Sequence, residues 1–161
     1  MDTTGTPAVA AFAETARAFC DWCENLVPGP EVNSQAASWL CRLYSAALAL
    51  PKVEPDGSGG PPDPPAASMA RVKENLAIFW GWYYREYFDP DPTRDDESGM
   101  GDIGDDLHDT YKDVRAGLVL YDQGKIADAT WQWAFDHRVH WGRHAVGALF
   151  ALHCMAISKW E

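Results

Sequence analysis

Three histidines, His137, His140 and His144, stand at spacings of three and four near the C-terminal end of the chain. On a helix those spacings put the rings on one side, about one turn apart. Two imidazoles four residues apart can chelate one ion, and carboxylates from a facing helix can complete the site. Asp102, Asp106, Asp109 and Asp113 recur at intervals of four, three and four. They form an acidic stripe along a second helix. Together the stripes predict a candidate site for a divalent transition metal (iron, manganese or zinc) on His140, His144 and His137, with Asp106 and Asp109 facing them. The Glu-x-x-His motifs of carboxylate-bridged diiron bundles are absent. The structural alternative is a mostly buried polar network in which these histidines bond to Asp or Tyr and hold no ion. On sequence grounds that alternative is preferred.

Arg138 and Arg143 lie in the same stretch, opposite the acidic stripe. An arginine clamped by two aspartates would hold the helices in register without any ligand. Its functional counterpart is an anion site for a carboxylate or phosphate, with Arg143, Asp106, Asp109, Trp133 and Trp141 as the ligand-binding set. No nucleophile motif, phosphate-binding glycine loop or dinucleotide fingerprint accompanies it.

The four cysteines include a Cys20-Asp21-Trp22-Cys23 pair. A redox pair needs its first thiol at a helix N-terminus, and this one falls near the end of a predicted helix. A zinc site would need Cys41 and Cys154 to converge on it. All four are expected to be small core residues.

Helices must position these groups. Thr6-Pro7 predicts a helix start, and Val9, Phe12, Ala16, Phe19, Cys23 and Leu26 follow at helical spacing until Pro28-Gly29-Pro30. Asn33 or Ser34 would cap a second helix with Ala36, Leu40, Leu43, Tyr44 and Ala47 on its apolar face. Residues 6–50 thus read as a helical hairpin. Residues 51–67 form a connector carrying six of the eleven prolines, read as a surface loop. Residues 68–161 then supply a three-helix core. Its first helix carries Met69, Val72, Leu76, Phe79, Trp80, Tyr83 and Tyr87, ending before Pro90. Ile103, Leu107, Tyr111, Val114, Leu118 and Tyr121 mark the next, which Gln123-Gly124 stops. The last runs from Ile126 to near Trp160, with Asp136 as the point where it could break. Trp133, His140, Trp141, His144 and Ala148 fall on one face of it. Phe135, Val139, Val146, Leu149 and Phe150 fall on the other, so burial on both sides is expected.

With 161 residues, 47% apolar, the chain reads as one globular domain. The expected fold is an all-α bundle of about five helices around a long, mostly buried C-terminal helix. A net charge of −11 repels phosphates and anionic lipid, so neither nucleic acid nor membrane is an expected partner. The longest apolar run, Ala145 to Leu152, cannot span a bilayer. No basic region precedes an apolar segment at the N-terminus, so a cytoplasmic location is expected. From Glu86 to Asp113, eleven acidic residues face only Arg94 and Lys112.

Tyr84-Arg85-Glu86, Phe88-Asp89-Pro90, Asp105-Asp106-Leu107 with Asp109, Tyr111 and Asp113, Gly117-Leu118 and Tyr121 form one series of motifs. With Trp131, Trp133, Phe135 and His140-Trp141-Gly142-Arg143-His144 they resemble an uncharacterised bacterial family of small helical proteins, a domain of unknown function. The likeness covers residues 76 to 153 and implies a helical fold without an activity. The functional expectation is a non-catalytic interaction protein, an adaptor or immunity-type inhibitor that binds a basic protein partner. The alternative is a metal- or small-ligand-binding enzyme that uses the His and Asp stripes.

Overall fold

The computed structural model describes residues 5–57 and 60–158. Its elements are α1 (Pro7–Glu24), α2 (Val32–Leu48), α3 (Ala66–Asn75), a 3-10 turn (Leu76–Phe79), β1 (Tyr83–Glu86), β2 (Gly99–Asp102), α4 (Ile103–Asp122), α5 (Ile126–Val139) and α6 (Trp141–Ser158). The architecture is a helical bundle with one two-stranded hairpin. The expected helix end near Trp160 and Gly59 of the connector lie outside the described residues.

α1 begins where its sequence dictates. Thr6 Oγ1 accepts from the Val9 N–H at 3.4 Å, and Pro7 holds the first helical position, where a missing N–H costs nothing. Val9, Phe12, Ala16, Phe19 and Cys23 are buried along it. α2 starts at Val32, ahead of both expected caps; Ser34 instead turns its hydroxyl back to the Glu31 carbonyl at 2.9 Å. Of the cysteines, Cys20 and Cys23 sit in the core as expected, whereas Cys41 and Cys154 are exposed.

The hub of the bundle is α4 rather than the C-terminal helix. α4 packs against α1, α5, α6 and the 3-10 turn, and its stripe Ile103, Leu107, Tyr111, Val114 and Leu118 is buried. Buried apolar side chains from all six helices join in one contiguous core.

Two expected helices are interrupted. The periodic stripe beginning at Met69 continues through Tyr87, but the helix does not. It ends at Asn75, tightens into the 3-10 turn, and reaches Trp80 with an extended backbone. Gly81 follows at φ 82°, a left-handed conformation that suits glycine, and its N–H donates to the Asp102 carboxylate at 2.8 Å. Beyond it the aromatic-rich run suits a strand. β1 pairs antiparallel with β2, Tyr83 opposite Asp102 and Glu86 opposite Gly99. Tyr83 and Tyr87, expected in the core, are therefore exposed.

The C-terminal helix breaks at His140, not at Asp136. His140 adopts φ −140° and ψ −88°. Its N–H closes α5 on the Asp136 carbonyl at 2.8 Å, and its own carbonyl accepts from the Arg143 N–H at 3.1 Å to open α6. A Cβ at Gly142 would collide with the His137 carbonyl oxygen, so the two helices can join this closely only with glycine there. One face of α6 (Trp141, Ala145, Ala148 and Leu152) is buried. The other is not: Val146 and Phe150 are exposed, as is Val139 at the end of α5, against the expectation of burial on both sides.

Candidate metal centre

The aspartates of α4 recur every three or four residues, so Asp106, Asp109 and Asp113 share one side of it. That side meets the α5–α6 junction, where His140 ends one helix and His144 lies in the first turn of the next. His140 Nδ1 lies 2.6 Å from Asp113 Oδ2, and His144 Nδ1 lies 2.7 Å from Asp106 Oδ1. The rings are edge-to-face with centroids 4.8 Å apart. Asp109 stands between them: its Oδ2 is 3.8 Å from His140 Nε2 and 3.7 Å from His144 Nε2. Tyr84, on β1, donates its hydroxyl to the second oxygen of Asp106 at 2.7 Å.

The two short bonds assign the imidazole protons. A carboxylate only accepts, so each Nδ1 carries the hydrogen and each Nε2 presents a lone pair when the ring is neutral. Each Nε2 then lies 3.7 to 3.8 Å from the same Asp109 oxygen. One ligand atom from each of Asp109, His140 and His144 lies within 4.8 Å of the other two. Two metal–ligand bonds of about 2.1 Å at a tetrahedral angle separate their ligand atoms by about 3.4 Å, so closure on an ion would draw the three groups inward. Carboxylates that hold the far nitrogen of a ligating histidine are the usual outer support of such sites, fixing ring orientation and raising basicity.

Burial and neighbouring charge tune the groups. Hydrogen bonding to Asp106 raises the His144 pKa, with burial opposing it. Burial raises Asp113, while the bond to His140 pulls it back. Asp105, beside the centre, is also raised, first by burial and then by Asp109 and Asp106. Burial pushes the Tyr84 hydroxyl far above its ordinary range, and the bond to Asp106 adds to this. It therefore stays a donor. Asp106 itself is 4% exposed, so its charge is satisfied by Tyr84 and His144 rather than by water.

The structure gathers some of the expected residues and not others. Asp106, Asp109, His140 and His144 come together. His137 does not: the break at His140 leaves it between Tyr44 and Trp141, with ring centroids 4.6 and 4.8 Å away. Trp133 is fully buried with its N–H donated to the Val114 carbonyl at 3.0 Å, and Trp141 is fully buried too; both belong to the core. Asp102 leaves the stripe to cap α4, accepting from the Gly104 N–H at 2.8 Å. Arg143 is not clamped by aspartates; its guanidinium lies 4.1 Å from the Phe88 ring centroid. Arg138 lies in a separate groove with Lys52, Trp131 and Phe135. Sequence reasoning missed Tyr84, because it assigned that residue to a helix. It placed Asp113 in the stripe without making it a site residue, although the four-residue step from Asp109 was the available signal.

The family model described as Domain of unknown function (DUF5063) matches residues 4–158, and the chain belongs to that family. The match extends across the N-terminal hairpin and the Pro-rich connector. The fold is similar to the crystal structure of protein BF1032 from Bacteroides fragilis, with a TM-score of 0.75 and 22% identity over 96% of this chain and 98% of that one. No curated protein matches the chain.

Proposed function

We propose that this family member is a metal-dependent protein. One divalent transition ion would sit on Asp109 Oδ2 and the Nε2 atoms of His140 and His144, with at least one position open to water or a substrate oxygen. The observation that carries this reading is the convergence of the two imidazoles on Asp109, one ligand atom from each residue lying within 4.8 Å of the others. Each gives its Nδ1 hydrogen to a carboxylate and has Nε2 within 3.7 to 3.8 Å of one shared oxygen. Two lone pairs facing a carboxylate repel unless a cation lies between them. A two-nitrogen, one-oxygen donor set suits zinc, iron or manganese. Such an ion polarises bound water or a carbonyl oxygen, which makes it an active centre when a position stays open. The His140 side chain is 44% exposed, so the ion would be reached from solvent.

The competing occupant is a proton on Nε2. Titration of the full chain with cobalt(II), followed by visible absorption, separates the two. Metal binding gives intense bands that saturate at one equivalent, and Asp109→Asn or His144→Ala removes them. A spectrum that stays that of the aquo ion would contradict the proposal.

A second reading is a docking module for a basic protein. It is supported by the loop between β1 and β2, where Asp91, Asp95, Asp96 and Glu97 are exposed beside Tyr87 and Phe88. It predicts that a salt-sensitive complex with a basic partner is lost on reversing Asp95, Asp96 and Glu97 to Lys. A complex indifferent to both changes would rule out this surface.

A further inference from the structure

We infer that the chain pairs with a second copy of itself across the exposed crest of α6, each copy seating Val146 and Phe150 in the hollows that flank the other's crest. The inference is independent of the metal reading.

Charge singles out this face. The chain has 24 acidic residues, yet α2 and α6, 17 and 18 residues long, contain none. These two helices pack against each other, so they make one continuous surface without a carboxylate of its own. Each carries a single arginine, and each guanidinium lies over a ring: Arg42 over Trp39 at 5.1 Å and Arg143 over Phe88 at 4.1 Å. Glu31, just ahead of α2, borders the seam at its other end, beside Ala37 and Ala156. Two chains of net charge −11 repel wherever their carboxylates meet. Contact between copies therefore costs least where both surfaces lack them.

Shape points the same way. Val146 and Phe150 stand exposed one turn apart on α6, Ile157 follows two turns on, and Leu48 is exposed at the end of α2. On one side of this crest lies a groove of about 240 Å³ between α2 and α6, walled by Leu40, Tyr44, Leu48 and Leu149. On the other lies a hollow of about 230 Å³ between α6 and β1, walled by Trp82, Ile103 and Met155. Both are smaller than the roughly 300 Å³ at which small-ligand pockets begin, and suit a large apolar side chain instead. A ridge of residues four apart, flanked by grooves, is the surface with which helices pack on one another. Ridge and hollows here belong to one face. A two-fold axis across α6 therefore fills both sets at once, each residue meeting in the other copy what its counterpart meets in return. A basic partner would instead be drawn to the carboxylates between β1 and β2 and would gain nothing from this face.

The test is sedimentation velocity of the full chain from about 1 to 100 μM, at low and high salt. Wild type should sediment as two chains at the upper end and dissociate on dilution. Val146→Glu, Phe150→Glu and Leu48→Glu each place a charge at an exposed position of the face. They should weaken association about a hundredfold or more, because the two-fold axis counts every change twice. Circular dichroism checks that each variant is folded, and Phe150→Ser, which adds no charge, should weaken pairing in the same direction. Val27→Glu, at an exposed apolar residue elsewhere, should pair like wild type. Added salt should strengthen the pair, since it screens two chains of like charge, whereas a complex with a basic partner is weakened by it. Wild type that remains a single chain at the highest concentration would overturn the inference and leave the crest to a different molecule. So would a dimer that persists in all of the crest variants, or one that salt dissociates.

Discussion

Tyr84 and His144 never touch, yet one aspartate joins them: Asp106 accepts from the Tyr84 hydroxyl at 2.7 Å and meets His144 Nδ1 at 2.7 Å with its other oxygen. A residue of the hairpin thereby orients a histidine of α6. The hairpin can reach in because Gly101 and Gly147 leave the space that the Tyr84 ring and hydroxyl occupy. The Tyr84→Phe variant removes one of two partners from a nearly buried carboxylate. It should cost about 1 to 2 kcal/mol in denaturant unfolding. It should also raise the His144 pKa further, read by NMR titration, because Asp106 then turns its charge on His144 alone. Unchanged values for both would show that Tyr84 does not support the centre.

The pH dependence follows from His144. Its folded-state pKa is raised, first by the bond to Asp106. In the metal-free chain the charged form is thus favoured by folding. That stability is fully present below the ordinary histidine value and fades as pH rises through the folded one. The added proton goes to Nε2, where an ion would bind, so metal affinity should run the other way. It should fall as pH drops through that same raised value, which cobalt titrations from pH 8 to pH 5 would follow. Affinity flat across that range would place the ion elsewhere.

Asp136 gives a second titration, one that also feels Asp113 and His140. Burial lifts its carboxyl to about 6 from 3.8, with Gln132 opposing at 2.7 Å. The fold therefore favours the neutral acid. This stabilisation is complete below the unfolded value and is lost as pH rises through about 6. Asp136→Asn should gain about 1 kcal/mol at pH 8, a figure reduced for the solvent that reaches the group. Urea unfolding of the variant should also lose that component of pH dependence, and an unchanged profile would contradict this.

His137 supplies the control. Its pKa is lowered by burial, and among the described residues its buried Nε2 has no hydrogen-bond partner. His137→Phe should keep cobalt binding within about twofold and leave stability unchanged or higher, since an unpaired buried polar atom is removed. Loss of cobalt would restore His137 to the ligand set.

Much of the bundle was legible because helical periodicity and capping act locally. Thr6-Pro7 opened α1, and the stripe from Ile103 to Leu118 packed as spaced. The facing Asp and His stripes were legible for the same reason. The hairpin was not, because Phe79 to Tyr84 fits helical spacing and strand alternation alike. The choice fell to Gly81, whose left-handed backbone is stabilised by Asp102, twenty-one residues away. The break at His140 depends on how closely Gly142 approaches the His137 carbonyl at the end of α5, a short-range contact that apolar periodicity does not register. That break decided the site: a straight helix would have kept His137 beside His140 and His144.

An ion on Asp109, His140 and His144 is what the proposed function requires. Its most direct test is elemental analysis of untagged protein purified without chelator, wild type beside Asp109→Asn and His144→Ala, each confirmed to be folded. Close to one transition-metal ion per wild-type chain is expected, with a large loss in both variants. Wild-type protein free of metal even after incubation with zinc, iron(II) or manganese(II), or the same metal content in all three proteins, would contradict it.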